Sequence, residues 1–195
     1  MTENKLANPA PLGLGGFALS TFILNLVNAG LVSAETLGLV MPVAMFYGGV
    51  AQLLAGMWDI RRGDTFGGTC FSSYGAFWIG LASYFFLRWA GIAPEAPAAG
   101  VAVVLFAWGI FTAYATIASL KLPRAITWIF ITLTILFFLL GIGEFVPVVR
   151  TIAGYEGLVC ALIAWYSSAA ILINTVHGKT VLPLGERAAL AKSKR

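Results

Sequence analysis

Charged residues in this chain occur in short clusters, and long apolar stretches separate them. The six uncharged intervals lie between Lys5 and Glu35, Glu35 and Asp59, Asp64 and Arg88, Glu95 and Lys121, Arg124 and Glu144, and Glu156 and Lys179. Each interval reaches the roughly 17–25 residues that a helix needs to cross about 30 Å of hydrocarbon. The pattern therefore predicts six transmembrane helices, at residues 13–33, 38–58, 67–89, 100–119, 125–144 and 155–177.

The composition agrees with a membrane protein. Hydrophobic residues make up 59% of the chain and charged residues only 10%, whereas about 25% of the residues in soluble domains are charged. Tracts such as AWGIFTAYATIASL lack the alternation of apolar and polar residues that a membrane β-barrel requires. The joints between the predicted spans are short, so the sequence predicts one all-α domain over residues 1–195. Its function is then expected within or across the bilayer.

Basic residues are distributed unequally between the two sets of joints. If the N-terminus is inside, the inner segments hold Lys5, Arg61, Arg62, Lys121, Arg124, Lys179, Arg187, Lys192, Lys194 and Arg195, and the outer segments hold Arg88 and Arg150. The positive-inside rule therefore predicts that both termini are cytoplasmic. Because these residues lie at helix ends and form no patch, the net charge of +4 does not indicate a nucleic-acid partner.

Polar residues recur on single faces of the predicted helices. In the first span Phe17, Thr21, Asn25 and Asn28 follow one another at helical spacing and form one stripe. The candidates for hydrogen bonding along a transport path are Asn25, Gln52, Thr69 and Thr112. Small and polar residues also hold packed helices together. For the two buried amides, packing and path lining remain open alternatives.

Formal charges are missing from the middle of every predicted span, where transporters usually place proton relays and fixed-charge sites. A crossing acid is therefore expected to move in its neutral form, with its proton, or along a partly wet path. Glu144 is the nearest carboxylate, at a helix end, and is expected to anchor a loop. The spans offer no nucleophile with a base, no metal cluster and no carboxylate pair, so we expect neither an enzyme nor a cofactor or metal site.

The stretch NPAPLGL at residues 8–14 raises a separate question. Asn8 suits a helix cap and proline suits the first helical turn, while Ala10 precedes Pro11 and is disfavoured in the α region. The helix is therefore expected to begin near Pro11, with residues Asn8, Pro9 and Ala10 extended or turned. One interpretation is a simple start of the helix, and the other is a helix N-terminus that faces an anion route.

Four stretches resemble the acetate uptake transporter family, the succinate–acetate permeases of the SatP/YaaH type. They are NPAPLGLGGF (8–17), FYGGVAQLLAG (46–56), GDTFGGTCFSSYGAFW (63–78) and GKTVLPLGE (178–186). The resemblance runs across nearly the whole chain. The chain departs from the family by an extra RAALAKSKR at its end, which is interpreted as part of a basic cytoplasmic tail over about 179–195.

The resemblance implies a six-helix protomer of the inner (plasma) membrane that conducts acetate, and related carboxylates such as succinate, with protons. It also implies a homohexamer with a separate path in each protomer. Family members carry a hydrophobic constriction, which falls here on Phe17, Tyr74 and Leu133. Two other functions stay open: a conduit for a small neutral solute such as ammonia, and a membrane sensor or scaffold that conducts nothing.

Overall fold

The computed structural model describes residues 6–187, which are helical over most of their length. The helices are α1 (Ala10–Asn28), α2 (Leu37–Val43), α3 (Gln52–Arg62), α4 (Thr65–Trp89), α5 (Ala98–Ser119), α6 (Arg124–Gly143) and α7 (Pro147–His177). A 3₁₀ turn (Ala34–Thr36) precedes α2, and a π-helical segment (Ala44–Ala51) joins α2 to α3. These pieces form one span, so six segments are long and apolar enough to cross a membrane. The prediction of an all-α protein with six spans is confirmed.

The helix ends follow their local sequence. Asp64 caps α4, because its side chain accepts a hydrogen bond from the Gly67 N–H at 2.8 Å. Gly63 ends α3 and Gly178 ends α7, both in the left-handed region, at φ +83° and +63°, where glycine is favoured. Pro147 occupies the first turn of α7, where its missing N–H costs nothing. Capping and turn chemistry therefore set these four boundaries.

The last helix differs from the prediction. It begins at Pro147 and not near residue 155, because a single charged residue bounds an apolar interval without ending a helix. Glu156 therefore lies inside α7, about 14 Å from its start at about 1.5 Å per residue. The expectation that this span lacks a carboxylate away from its ends is wrong.

The first helix also differs slightly from its prediction. It begins at Ala10, which is helical although Pro11 follows it, and Pro9 is the capping residue with αR angles. The Asn8 side chain accepts a hydrogen bond from the Ala10 N–H at 3.0 Å. This bond supports the helical first turn against the steric preference of a residue that precedes proline.

The six spans surround a common axis. Helix α1 packs between α7 and the second span, α6 lies between α5 and α7, and α4 packs on the second span. The contact between α4 and α5 is made largely by aromatic rings. The ring centroids of Tyr74 and Phe111 are 5.4 Å apart and those of Phe77 and Trp108 are 5.2 Å apart, and both pairs pack edge to face. Such pairs add about 0.5–1.5 kcal/mol beyond the burial of their area. Aromatic contacts therefore close the ring of helices.

Both described ends of the chain meet at one end of the bundle, which we call the termini face. Residues 180–187, the terminal strap, cross this face. Asn174 binds the strap at three points, accepting from the Val181 and Leu182 N–H groups and donating to the Leu182 carbonyl at 2.7–2.9 Å. The backbone of the terminal strap also pairs with the start of α6, where the Arg124 N–H donates to the Gly185 carbonyl at 3.0 Å. The expected tail from 179 is thus packed on the bundle as far as 187, and 188–195 lie outside the described residues.

Candidate functional site

A cavity of about 420 Å³ opens at the termini face and runs into the bundle. Its mouth is polar and its deep end mostly apolar. The residues at the mouth include Asn8, Asp59, Arg62, Asp64, Asn174, Thr180 and Glu186, and those toward the deep end include Leu14, Phe17, Gln52, Cys70, Tyr74, Ile129, Phe130 and Leu133. We call this cavity the vestibule.

The deep end of the vestibule holds the three residues expected to form the constriction. Phe17, Tyr74 and Leu133 are 5%, 3% and 3% exposed, so none of them faces lipid. Phe17 and Tyr74 have ring centroids 6.1 Å apart. Leu133 lies in the same buried cluster and lines the same cavity. The structure therefore brings α1, α4 and α6 together through these side chains, which we call the apolar ring.

Tyr74 is held in place by a defined hydrogen-bond chain. The Thr112 hydroxyl donates to the Trp108 carbonyl at 2.7 Å, which uses its one hydrogen. The bond of 2.9 Å between Tyr74 Oη and Thr112 Oγ1 must then have Tyr74 as its donor. Thr112 is fully buried and is absent from the residues that line the vestibule. Its place is behind the ring, where it orients the tyrosine.

The two buried amides occupy different places. Gln52 is buried and lines the vestibule, and its Oε1 has no hydrogen-bond partner within residues 6–187. Asn25 lies two turns beyond Phe17 on α1, outside the vestibule. It donates to the Thr21 carbonyl at 2.8 Å and accepts from the Asn28 amide at 3.1 Å. A Cβ at Gly157 would collide with it. Asn25 thus belongs to a packed contact of α1 with α7, whereas Gln52 lines the cavity and has a buried acceptor without a partner among the described residues.

Thr69 does not support the expectation placed on it. It is exposed and does not line the vestibule. The face of α4 that carries Thr69, Ser73 and Ala76 is rotated away from the face that carries Cys70 and Tyr74, because neighbouring residues on a helix are about 100° apart. The polar stripe of α4 therefore follows the outside of the bundle, and its aromatic and sulfur-bearing face points inward.

A charged cluster at the vestibule mouth answers the question about the NPAPLGL stretch. Arg62 Nη1 donates to both Asn8 Oδ1 and Asp59 Oδ1 at 3.0 Å. Asn8 also accepts from the Ala10 N–H, so one side chain starts α1 and fixes it to the end of α3. Asn8 lines the vestibule, whereas Pro9 and Pro11 do not. The two interpretations of this stretch are therefore compatible at Asn8.

Sequence reasoning missed Asp59 and Arg62, which were assigned to a loop. Asp59 is 1% exposed. Its spacing of three residues from Arg62 on a helix was a usable signal, because such residues are neighbours on the helix surface.

Glu144 lies at the end of α6 and forms an ion pair with Arg150, consistent with a loop anchor. Within residues 6–187, no three His, Cys, Asp or Glu side chains lie close enough to hold a metal ion.

The six apolar spans, the vestibule and the buried ring at its end define a multi-pass membrane protein with a cavity that enters the helix bundle from one face. The comparison with known families is consistent with this class. Residues 1–184 match the GPR1/FUN34/yaaH family, and the chain belongs to that family.

Individual relatives cover most of the chain. It is 40% identical over 188 residues to the succinate-acetate/proton symporter SatP of Escherichia coli (strain K12), which spans 95% of this chain and 99% of that protein. A solved structure of the bacterial acetate channel SatP superposes with a TM-score of 0.90 at 40% identity, over 93% of this chain and all of that one. The chain is also 38% identical over 176 residues to ammonia transport outward protein 2 of Saccharomyces cerevisiae, covering 86% of this chain and 62% of that protein.

Proposed function

We propose that this protein moves acetate and related short carboxylates such as succinate, together with protons, across a cell membrane. The apolar ring at the end of the vestibule carries the proposal. It presents aromatic and aliphatic groups to a solute that leaves a polar cavity, so it suits an acid with a methyl or methylene group better than a hydrated inorganic ion. The bacterial relatives named for acetate transport support the choice of substrate.

Gln52 is the proposed hydrogen-bonding partner of the acid beside the ring. Its unpartnered Oε1 can accept from the hydroxyl of a neutral acid in the vestibule. Asn25 follows on the α1 stripe, but its amide is engaged in the contact of α1 with α7, so its proposed role is to hold the helices beyond Phe17. Thr112 acts through Tyr74, and Thr69 has no part in this path.

The proposal includes an orientation and an assembly. The termini face carries most of the basic joint residues, so it is assigned to the cytoplasm of an inner (plasma) membrane protein. The exposed apolar residues include Phe46, Val103, Ile110 and Ile117, in keeping with lipid or subunit contacts. The assembly is a homohexamer with one path in each protomer, which native mass spectrometry of the detergent-purified protein would test.

The function is tested by uptake of labelled acetate into proteoliposomes, well above the pKa of acetic acid so that free diffusion of the neutral acid is small. We expect saturable uptake that short carboxylates compete for and that a proton gradient accelerates. Uptake equal to that of protein-free vesicles would remove the proposal. Competition by ammonium in place of carboxylates would favour the ammonia path, for which the yeast relative's name is the supporting observation.

Phe17→Ala separates a transport path from a scaffold. We expect at least a severalfold change in acetate flux, because the ring loses its largest α1 side chain. Phe46→Ala is the matched control, since Phe46 is 68% exposed on the bundle surface and its loss should leave flux unchanged. Unchanged flux in Phe17→Ala with a lost oligomer would support the scaffold.

A further inference from the structure

The vestibule contains titratable side chains in very different settings. Those that line it are Asp59, Arg62, Asp64, Cys70, Tyr74 and Glu186. Asp64 and Glu186 are exposed at the mouth, and Asp64 is engaged as the cap of α4. Asp59 is the only fully buried carboxylate among these lining residues. It therefore differs from the other acids that a solute meets in the vestibule.

The two oxygens of Asp59 have different partners. Oδ1 accepts from Arg62 Nη1 at 3.0 Å. Oδ2 has no hydrogen-bond partner anywhere in the described chain. It packs against the first turn of α4, where a Cβ at Gly67 would collide with it. The glycine thus leaves room for a carboxylate that is half paired.

This half-paired state favours proton exchange at Oδ2. A buried carboxylate is well solvated as an anion only when both oxygens accept hydrogen bonds. With Oδ1 bound to Arg62, Oδ2 is the atom that gains most from a proton, because as an anion it accepts no hydrogen bond. The neighbouring Arg62 keeps the ionised form accessible as well.

We infer that Asp59 is the residue that exchanges the co-transported proton in the vestibule. The inference rests on the proposed function. Acetic acid that has passed the ring gives its proton to the Asp59 carboxylate, forming Asp59–COOH and acetate. The acetate leaves past Arg62 into water. Asp59–COOH then releases the proton to water at the mouth, and the carboxylate is restored. One acetate and one proton reach the termini face, and the same steps run backwards for efflux.

The facing groups leave Asp59 as the strongest candidate. On its own helix the charged neighbour is Arg62, and from α4 the titratable groups are Asp64, Cys70 and Tyr74. The strap contributes Glu186, and the N-terminal segment contributes the uncharged Asn8. The other buried carboxylate, Glu156, does not line the vestibule. It therefore serves as the control.

The test compares two assays in proteoliposomes that contain the full chain. Exchange of labelled for unlabelled acetate at equal pH requires no net proton movement, whereas accumulation driven by a pH gradient does. For Asp59→Asn we expect gradient-driven accumulation reduced at least tenfold and a flat pH profile, with exchange slowed as well because each crossing acid gives its proton to Asp59. Asp59→Glu should restore accumulation and its pH dependence, and Glu156→Gln should behave as wild type in both assays.

The outcomes are distinct. The inference is overturned if the Asp59→Asn variant accumulates acetate with the wild-type pH profile. It is also overturned if the Glu156→Gln variant loses accumulation and the Asp59→Asn variant does not. No exchange by the wild type removes the proposed function instead. If Asp59→Asn does not fold, wild-type protein is treated with dicyclohexylcarbodiimide, which reacts with protonated carboxyl groups in apolar surroundings. Modification of Asp59 in step with lost accumulation supports the inference, and inhibition with Asp59 unmodified overturns it.

Discussion

Asp59 and Glu156 are both carboxylates buried among membrane-spanning helices, but their surroundings differ. Asp59 lines the vestibule and binds Arg62 through one oxygen. Glu156 lies in α7 away from the vestibule, and in the described structure neither of its oxygens has a hydrogen-bond partner. Burial alone therefore does not mark a functional carboxylate. Access to the cavity and a cation that stabilises the ionised form distinguish Asp59.

Removing the cation should have the largest effect on stability. Arg62→Met leaves the buried Asp59 carboxylate without a partner and cuts the bond to Asn8. Loss of one member of a buried pair costs about 3–5 kcal/mol, and because the Arg62 side chain is 28% exposed we expect about 2 kcal/mol. Unfolding of the detergent-purified protein measures it. The double variant Arg62→Met, Asp59→Asn should recover much of the loss, and an equal loss in both would contradict the pairing.

Crowding the unpartnered oxygen of Asp59 should have the next largest effect on stability. Gly67→Ala places a methyl group against Oδ2, and such overpacking costs about 1–2 kcal/mol. Gly80→Ala in the same helix is the matched control, since a Cβ there meets no atom within 4 Å. A thermal shift for Gly67→Ala no larger than that for Gly80→Ala would show that Asp59 can move aside freely.

Asp64 provides a carboxylate beside the vestibule with a structural role. Asp64→Ala removes the cap on α4, which should lower the free energy of unfolding by about 1 kcal/mol. Asp64→Asn retains an acceptor for the Gly67 N–H and should be close to wild type. Chemical or thermal unfolding of the two variants side by side checks this, and equal destabilisation by both would point to the charge and not to the cap.

The smallest effect is expected at Glu156. Glu156→Leu replaces an unpartnered buried carboxylate with an apolar side chain, so the change should be neutral or stabilising by up to about 1 kcal/mol. Acetate flux should remain within about twofold of wild type. A large loss of flux with normal folding would end the contrast with Asp59 and place Glu156 on the path.

The sequence predicted the spans far better than their faces. Apolar length locates a transmembrane helix whatever its neighbours are, so all six spans were found. The inward face of α4 could not be read from the sequence, because Thr69 and Tyr74 both lie on plausible stripes and only packing against α1 and α5 decides between them. The π-helical segment Ala44–Ala51 also carried no clear signal.

The constriction residues show a second limit. Phe17, Tyr74 and Leu133 were named from a family resemblance, since nothing in their spacing relates one helix to another. Thr112 was predicted as a residue that lines the path. Its hydroxyl binds the Trp108 carbonyl and Tyr74 instead, a role that depends on the approach of α4 to α5.

By itself the sequence determined the number of spans, the helix-start chemistry at Asn8, and the basic residues that predict which side the termini occupy. These follow from local properties: apolar length, capping and charge. The tertiary structure decided which side chains meet on the axis, that Asp59 is buried against Arg62, and that residues 180–187 cover the termini face. Such contacts join residues far apart in the chain, and only the packing of the helices fixes them.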